Sequence, residues 1–217
     1  MKQDFEFINT LIESITEKNE QILQEYKEEK FTLNSIEMLS FLYSSNLQRD
    51  LEVMKDFLEA NYETRYSLML LRNMCEQVIE YLYLCNDERR IDYYMSPMKI
   101  DDDAYMEKLQ ERMEESSNFV KMQKTILSLR YEDEEKPFVH KMAKDIGEAK
   151  DSDDDLCLYS IFGLLSNYTH NSYYEDFMEC VGLVDDNDEN DTYSDDDIAD
   201  ISLNIIAIKF MEKYDSI

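Results

Sequence analysis

The sequence predicts an all-α domain of six to eight helices, and three observations carry that expectation. The 217 residues include only three glycines and two prolines, too few for the turns that strands and hairpins need. The chain is rich in Leu, Met, Tyr, Glu and Lys, a helical composition. Its apolar residues recur at spacings of three and four rather than two. A chain of this length suits one domain spanning 1–217.

Residues 2–29 read as a long amphipathic helix, with Phe5, Ile8, Ile12, Ile15, Leu23 and Tyr26 on its apolar side. EYKEEK then loses apolar content and ends it. Asn34 or Ser35 caps the next helix, which Ile36, Leu39, Leu42, Leu47, Leu51, Met54 and Leu58 carry to about residue 61. Ser44, Ser45 and Asn46 are candidates to break or bend it. The stretch 62–86 is apolar on nearly every side and is expected to be the buried central helix. A charged connection with Pro97 follows it, where no ordinary helix is expected.

Asp101 to Asp103 cap an expected helix over about 103–130. Pro137 suits the first turn of a short helix, PFVHKMAKDIGEA, which Gly147 helps to end. Asp153 to Asp155 are expected to cap LCLYSIFGLLSNYTHN, a second strongly apolar helix adjacent to the first. The acidic stretch 185–197 reads as a loop. A final helix from about Asp195 to Tyr214 has Ile198, Ile201, Ile205, Ile208 and Phe210 as its expected buried side.

The chain has 22 Lys+Arg against 50 Asp+Glu, a formal net charge of −28. Such a surface repels nucleic-acid phosphates and anionic membranes, and attracts basic partners or cations. Cys75, Cys85, Cys157 and Cys180 show no CxxC spacing and read as reduced, small hydrophobes. MKQDFEFINT lacks the basic-then-apolar pattern of a secretory signal, and no uncharged apolar run reaches about 18 residues. The expectation is a cytoplasmic protein with no cofactor and no membrane partner.

Three constellations stand out. The first is a polar stripe on the central helix: Arg65, Arg72, Glu76 and Glu80, spaced by seven, four and four. Its expected mate is the stripe Tyr159, Gly163, Ser166 and His170 on the later helix, with Asn167 beside it. Gly163 would permit close backbone approach. This pair of stripes reads as a structural network across a helix–helix contact. The alternative is an Arg/His site acting on a phosphodiester, with Arg72 stabilising phosphate charge and His170 moving a proton.

The second constellation is the acidic loop. Asp186, Asp188 and Asn190 occupy positions 1, 3 and 5 of a Ca²⁺-loop pattern, with Thr192, Ser194 and Asp197 at 7, 9 and 12. Asp191 stands where that pattern has Gly, and Asp197 replaces its Glu. A solvated loop is the competing reading. The third is the C-terminal part, where 18 acids from Asp151 to Ile217 face two basic residues, Lys209 and Lys213. It reads as a charged exposed surface, with a nucleic-acid mimic that inhibits a basic partner as the alternative. His140 reads as a packing or surface residue.

LLRNMCEQVIEYLYL, HKMAKDIGEA and LYSIFGLLSNYTHNSYY together resemble an uncharacterised family of bacterial helical proteins, similar to the HEPN-like all-α superfamily. The resemblance covers residues 62–174, which would form the HEPN-like core. It places the family motif on Arg72, Glu76, Ser166 and His170. It implies a helical protein acting mainly through protein contacts in a bacterial or phage defence setting; a homodimer is a separate partner expectation. It also implies an alternative, a metal-independent ribonuclease using Arg72, Glu76 and His170, in which RNA would be the substrate. No Arg precedes His170 on its own helix, so catalysis would draw on Arg72 from another helix.

Overall fold

A computed structural model describes residues 4–32, 35–60, 64–95, 137–149, 157–167 and 194–217. Among them are seven helices and no strand. They are α1 (Asp4–Lys27), α2 (Ile36–Glu59), α3 (Thr64–Cys85), α4 (Glu88–Met95), α5 (Val139–Asp145), α6 (158–167) and α7 (Asp195–Tyr214). The fold is all-α, as the composition and periodicity predict. The expected helix over 103–130 and the loop residues 185–193 lie outside the described residues.

α3 is the centre of the bundle. It packs against α2, α4, α5 and α7, while α1 packs on α2 and reaches α7 through Asn19 and Lys18. Leu68, Leu71, Met74, Cys75, Val78, Ile79, Tyr81 and Leu84 of α3 are buried in one core that all seven helices line. The helix is not buried all round: Tyr66 is 40% exposed and Met69 is 55% exposed, both on its outer side.

Two buried polar contacts fix how the helices sit. Tyr81 Oη lies 2.9 Å from Ser40 Oγ, whose own proton goes to the Ile36 carbonyl at 2.7 Å, so Tyr81 donates. Asn19 Oδ1 accepts from Ser44 Oγ at 2.6 Å and from Tyr214 Oη at 2.9 Å, joining α1, α2 and α7. Beside these contacts, the rings of Tyr81 and Phe210 lie tilted 5.2 Å apart, and those of Phe210 and Tyr214 stack 5.1 Å apart. Burial keeps both phenols neutral. It pushes the Tyr214 phenol up to about 12 and raises Tyr81 as well.

Several local expectations change. Ser44 and Ser45 do not break α2. Ser45 donates back to the Phe41 carbonyl at 2.6 Å and Ser44 reaches Asn19, so both hydroxyls are satisfied inside an unbroken helix. The connection after Asn86 contains a helix, α4. Asp87 starts it, accepting from the Arg89 backbone N–H at 3.0 Å, and it stops before Pro97, whose restriction falls beyond it. Pro137 precedes the N-cap Phe138 rather than entering the first turn of α5.

The buried side of α7 also differs from expectation. Ile198, Ala199, Ser202, Leu203, Ile206, Ala207, Phe210 and Tyr214 face inward, whereas Ile201 is 37% exposed and Ile208 is 53% exposed. α7 is apolar on more than one side, so periodicity alone does not select a face. The inward face includes the small residues Ala199, Ser202 and Ala207, and with that face buried Ile201 and Ile208 fall on the outer side.

Two helices end alike. Glu148 N–H donates to the Ala143 carbonyl at 2.8 Å and Gly147 N–H to Lys144 at 3.1 Å, with Gly147 at φ 75°. Lys30 and Glu29 repeat the pattern on Glu25 and Tyr26, at 3.1 and 3.0 Å, with Glu29 at φ 58°. Both are Schellman motifs, and one carries a side chain where glycine is the usual residue.

Candidate functional site

The polar stripe of α3 meets α6 at Arg72. Arg72 Nε donates to Ser166 Oγ at 3.1 Å, and one terminal nitrogen lies 3.6 Å from Glu76. The guanidinium carbon sits 4.8 Å from the centre of the Phe162 ring. Ser166 in turn donates to the Phe162 carbonyl at 2.7 Å. Phe162 and Ser166 are one helical turn apart, so together they form a seat for a flat cation.

This junction is not deeply buried. The Arg72 and Glu76 side chains are 31% and 36% exposed. The ion pair therefore contributes little by itself, and the cation–π contact with Phe162 and the Ser166 bond give the junction its geometry. Asn167 is exposed. The Arg65 side chain and His170 lie outside the described residues.

Tyr159 is placed elsewhere. Its ring lies 4.9 Å from that of His140 on α5 and stacks 6.3 Å from Phe162. A row of rings thus runs from exposed His140 to the Arg72 seat. Gly163 is not the point of close approach: a Cβ added there would meet nothing within 4 Å. The contact between α3 and α6 comes instead through the Arg72 seat and through Cys75, whose thiol donates to the Leu158 carbonyl at 3.2 Å.

Sequence reasoning missed Glu148. One carboxylate oxygen accepts from Lys209 Nζ at 2.6 Å and the other from the Leu158 backbone N–H at 3.1 Å. Its carbonyl accepts from Tyr159 N–H at 3.1 Å. Glu148 thus caps α6 from outside that helix and ties it to α7, while Cys157 rather than an aspartate stands just before the first helical residue. The available signal was the Gly147–Glu148 pair at a helix end, which aims the following side chain back across the bundle.

Beside this pair a cleft of about 400 Å³ is lined by Cys85, Asp145, Glu148, Lys209, Glu212 and Lys213, among others. Burial pushes the Cys85 thiol up to about 11, against the lowering effects of the Tyr81 bond and the Lys213 charge. The thiol is therefore neutral near pH 7 and is no nucleophile there.

The start of α7 accounts for the acids next to the expected Ca²⁺ loop. Ser194 Oγ accepts from Asp197 N–H at 3.2 Å, and the Asp197 carboxylate accepts from Ser194 N–H at 3.1 Å, a capping box. The Ser194 hydroxyl and N–H hold the Asp197 carboxyl below its ordinary range. Thr64 donates to Asp196 at 2.6 Å, joining the starts of α3 and α7. Burial, then the Asp196 charge, raises Asp195. Asp186, Asp188 and Asn190 lie outside the described residues. Among the described residues no group of three or more His, Cys, Asp or Glu side chains is placed to hold a metal. No described helix is long and apolar enough to cross a membrane.

No protein-family model, no curated protein and no solved structure matches this chain.

Proposed function

We propose that this chain is a HEPN-like helical protein that works through contacts with a protein partner. The defence setting follows from the resemblance of residues 62–174. The observation that carries the reading is how Arg72 is used. Its Nε is engaged by Ser166, a terminal nitrogen by Glu76 and one face by Phe162. A cation held this way joins two helices, and a phosphate would have to compete with Glu76 for it. The net charge of −28 favours the same reading, because it opposes recruitment of RNA and attracts basic surfaces.

The test compares the wild-type chain with Arg72→Ala, Arg72→Lys and His170→Ala. Single-stranded RNA stays intact with all four. Arg72→Ala lowers stability by about 1 kcal/mol, and Arg72→Lys recovers only part, since one ammonium cannot hold Ser166, Glu76 and the Phe162 ring at once as the guanidinium does. RNA cleavage by the wild type that His170→Ala and Arg72→Ala abolish, with helical circular dichroism unchanged, would establish a ribonuclease instead.

A further inference from the structure

The outward face of α7 carries a seam whose middle, Ile201, Asn204 and Ile208, is exposed, while Met211 leans against the core and Asp215 lies 3.8 Å from Lys18 of α1. Asp197, Ile201, Asn204, Ile208, Met211 and Asp215 follow one another at spacings of four, three, four, three and four. That is the a/d spacing of a two-stranded coiled coil. Ile201 is 37% exposed, Ile208 is 53% exposed, and Asn204 between them is exposed. The opposite side of the helix is the buried one, through Ile198, Leu203, Ile206 and Phe210. Carboxylates flank the seam at both ends, Asp197 at its start and Glu212 and Asp215 at its finish, all exposed; Asp197 also holds the Ser194 cap and Asp215 lies 3.8 Å from Lys18.

From this arrangement we propose that the outer face of α7 docks an amphipathic, basic helix of a partner protein. The partner would place apolar residues at two a/d repeats against Ile201 and Ile208, with Lys or Arg near both ends. The charge pattern selects this occupant. A second copy of the chain would set Asp197, Glu212 and Asp215 against like charges, and each copy carries −28. An anionic membrane or a nucleic acid meets the same repulsion. A neutral apolar helix would cover the isoleucines but leave Asp197 and Glu212 facing desolvation without a cationic partner. Asn204 in the middle of the seam supplies a polar position that sets the register of the pair. The inference rests on the protein-contact reading and names the surface and the chemistry of the partner for it.

The probe is a synthetic helix of about 18 residues, with Leu at the a and d positions and Lys flanking them, titrated into the full-length protein by fluorescence anisotropy. A control peptide keeps every Lys and replaces the Leu residues by Ser. The Leu peptide is expected to bind at least ~10-fold more tightly than the control. Its affinity falls as salt rises from about 50 to about 300 mM. The double variant Ile201→Ser/Ile208→Ser weakens it by ~10-fold or more while keeping its melting temperature, because both side chains project outward. Leu42→Ser and Met69→Ser, at exposed apolar positions on α2 and α3, leave the affinity unchanged.

Three results overturn the assignment. They are equal binding of the two peptides, no binding of the Leu peptide, and binding indifferent to the α7 substitutions. None of them produces RNA cleavage, so they are distinct from failure of the protein-contact reading itself, which the ribonuclease assay detects.

Discussion

Glu148 offers the sharpest test of how this bundle is held together. Its carboxylate serves two partners that are remote in sequence: the Leu158 N–H, ten residues on, and Lys209 Nζ, 61 residues on. The Glu148 side chain is 14% exposed and Lys209 is 33% exposed. Glu148→Ala removes both bonds. The orphaned N–H at the start of α6 costs about 1 kcal/mol, the usual loss of a helix cap. A charge-assisted bond to Lys209 is worth about 1.5–3 kcal/mol, discounted because the ammonium regains water at its exposed side. The sum is a loss of about 2–3 kcal/mol. For a chain of this size that corresponds to a melting temperature lower by about 5–10 °C.

Glu148→Gln keeps an acceptor but no charge, and should lose about 1 kcal/mol. Lys209→Met should lose a similar amount, about 1 kcal/mol. Urea unfolding followed by circular dichroism gives all three, and the Glu148→Ala/Lys209→Met double variant gives the coupling. The reasoning fails if Glu148→Ala stays within about 0.5 kcal/mol of wild type, or if the two substitutions prove additive.

The two Schellman ends predict opposite signs. Glu29→Gly should stabilise by about 0.5–1 kcal/mol and Gly147→Ala should destabilise by about 1 kcal/mol, read from urea midpoints; space is not the issue at Gly147, where an added Cβ meets nothing within 4 Å. Ser194→Ala should lose about 1 kcal/mol near neutral pH by removing the capping box. Asp197 is held low in the fold, so its contribution is present above the unfolded carboxylate range and disappears as pH falls through the folded value. The gap between wild type and Ser194→Ala should therefore narrow in acid, and a constant gap in pH-dependent melts would count against this account. Tyr214 is raised to about 12, so the stability that its neutral phenol contributes is complete below the unfolded value of about 10 and is lost as pH rises through the folded one. Tyr214→Phe should cost about 1 kcal/mol at neutral pH and flatten the alkaline limb of the melting curve, which Tyr81 keeps partly in place.

How much was legible depended on how local the cause was. Helix identity and most ends follow from short-range chemistry: Ser35 accepts from Met38 N–H at 3.2 Å at the start of α2, and Gly147 ends α5. The juxtaposition of Arg72 with Ser166 was anticipated from two polar stripes on apolar helices, although the partners are 94 residues apart. Phe162 in that seat was not, because an aromatic in an apolar helix reads first as core. Gly163 misled, since a glycine on a stripe suggests backbone approach that the helix pair does not make. Pro97 misled in another way, because its restriction was extended over residues 88–95, which form α4.

By itself the sequence determined the helical class, the acidity and local ends such as Ser35 and Gly147, because propensity, charge and hydrogen bonds within a few residues are local quantities. Only the tertiary structure decided which side of α7 is buried, since that helix is apolar on more than one side and the answer depends on the surfaces available to receive it. The same holds for Glu148, whose two partners are brought to one carboxylate only when α5, α6 and α7 have packed. The exposed isoleucine seam of α7 is the remainder of that packing choice.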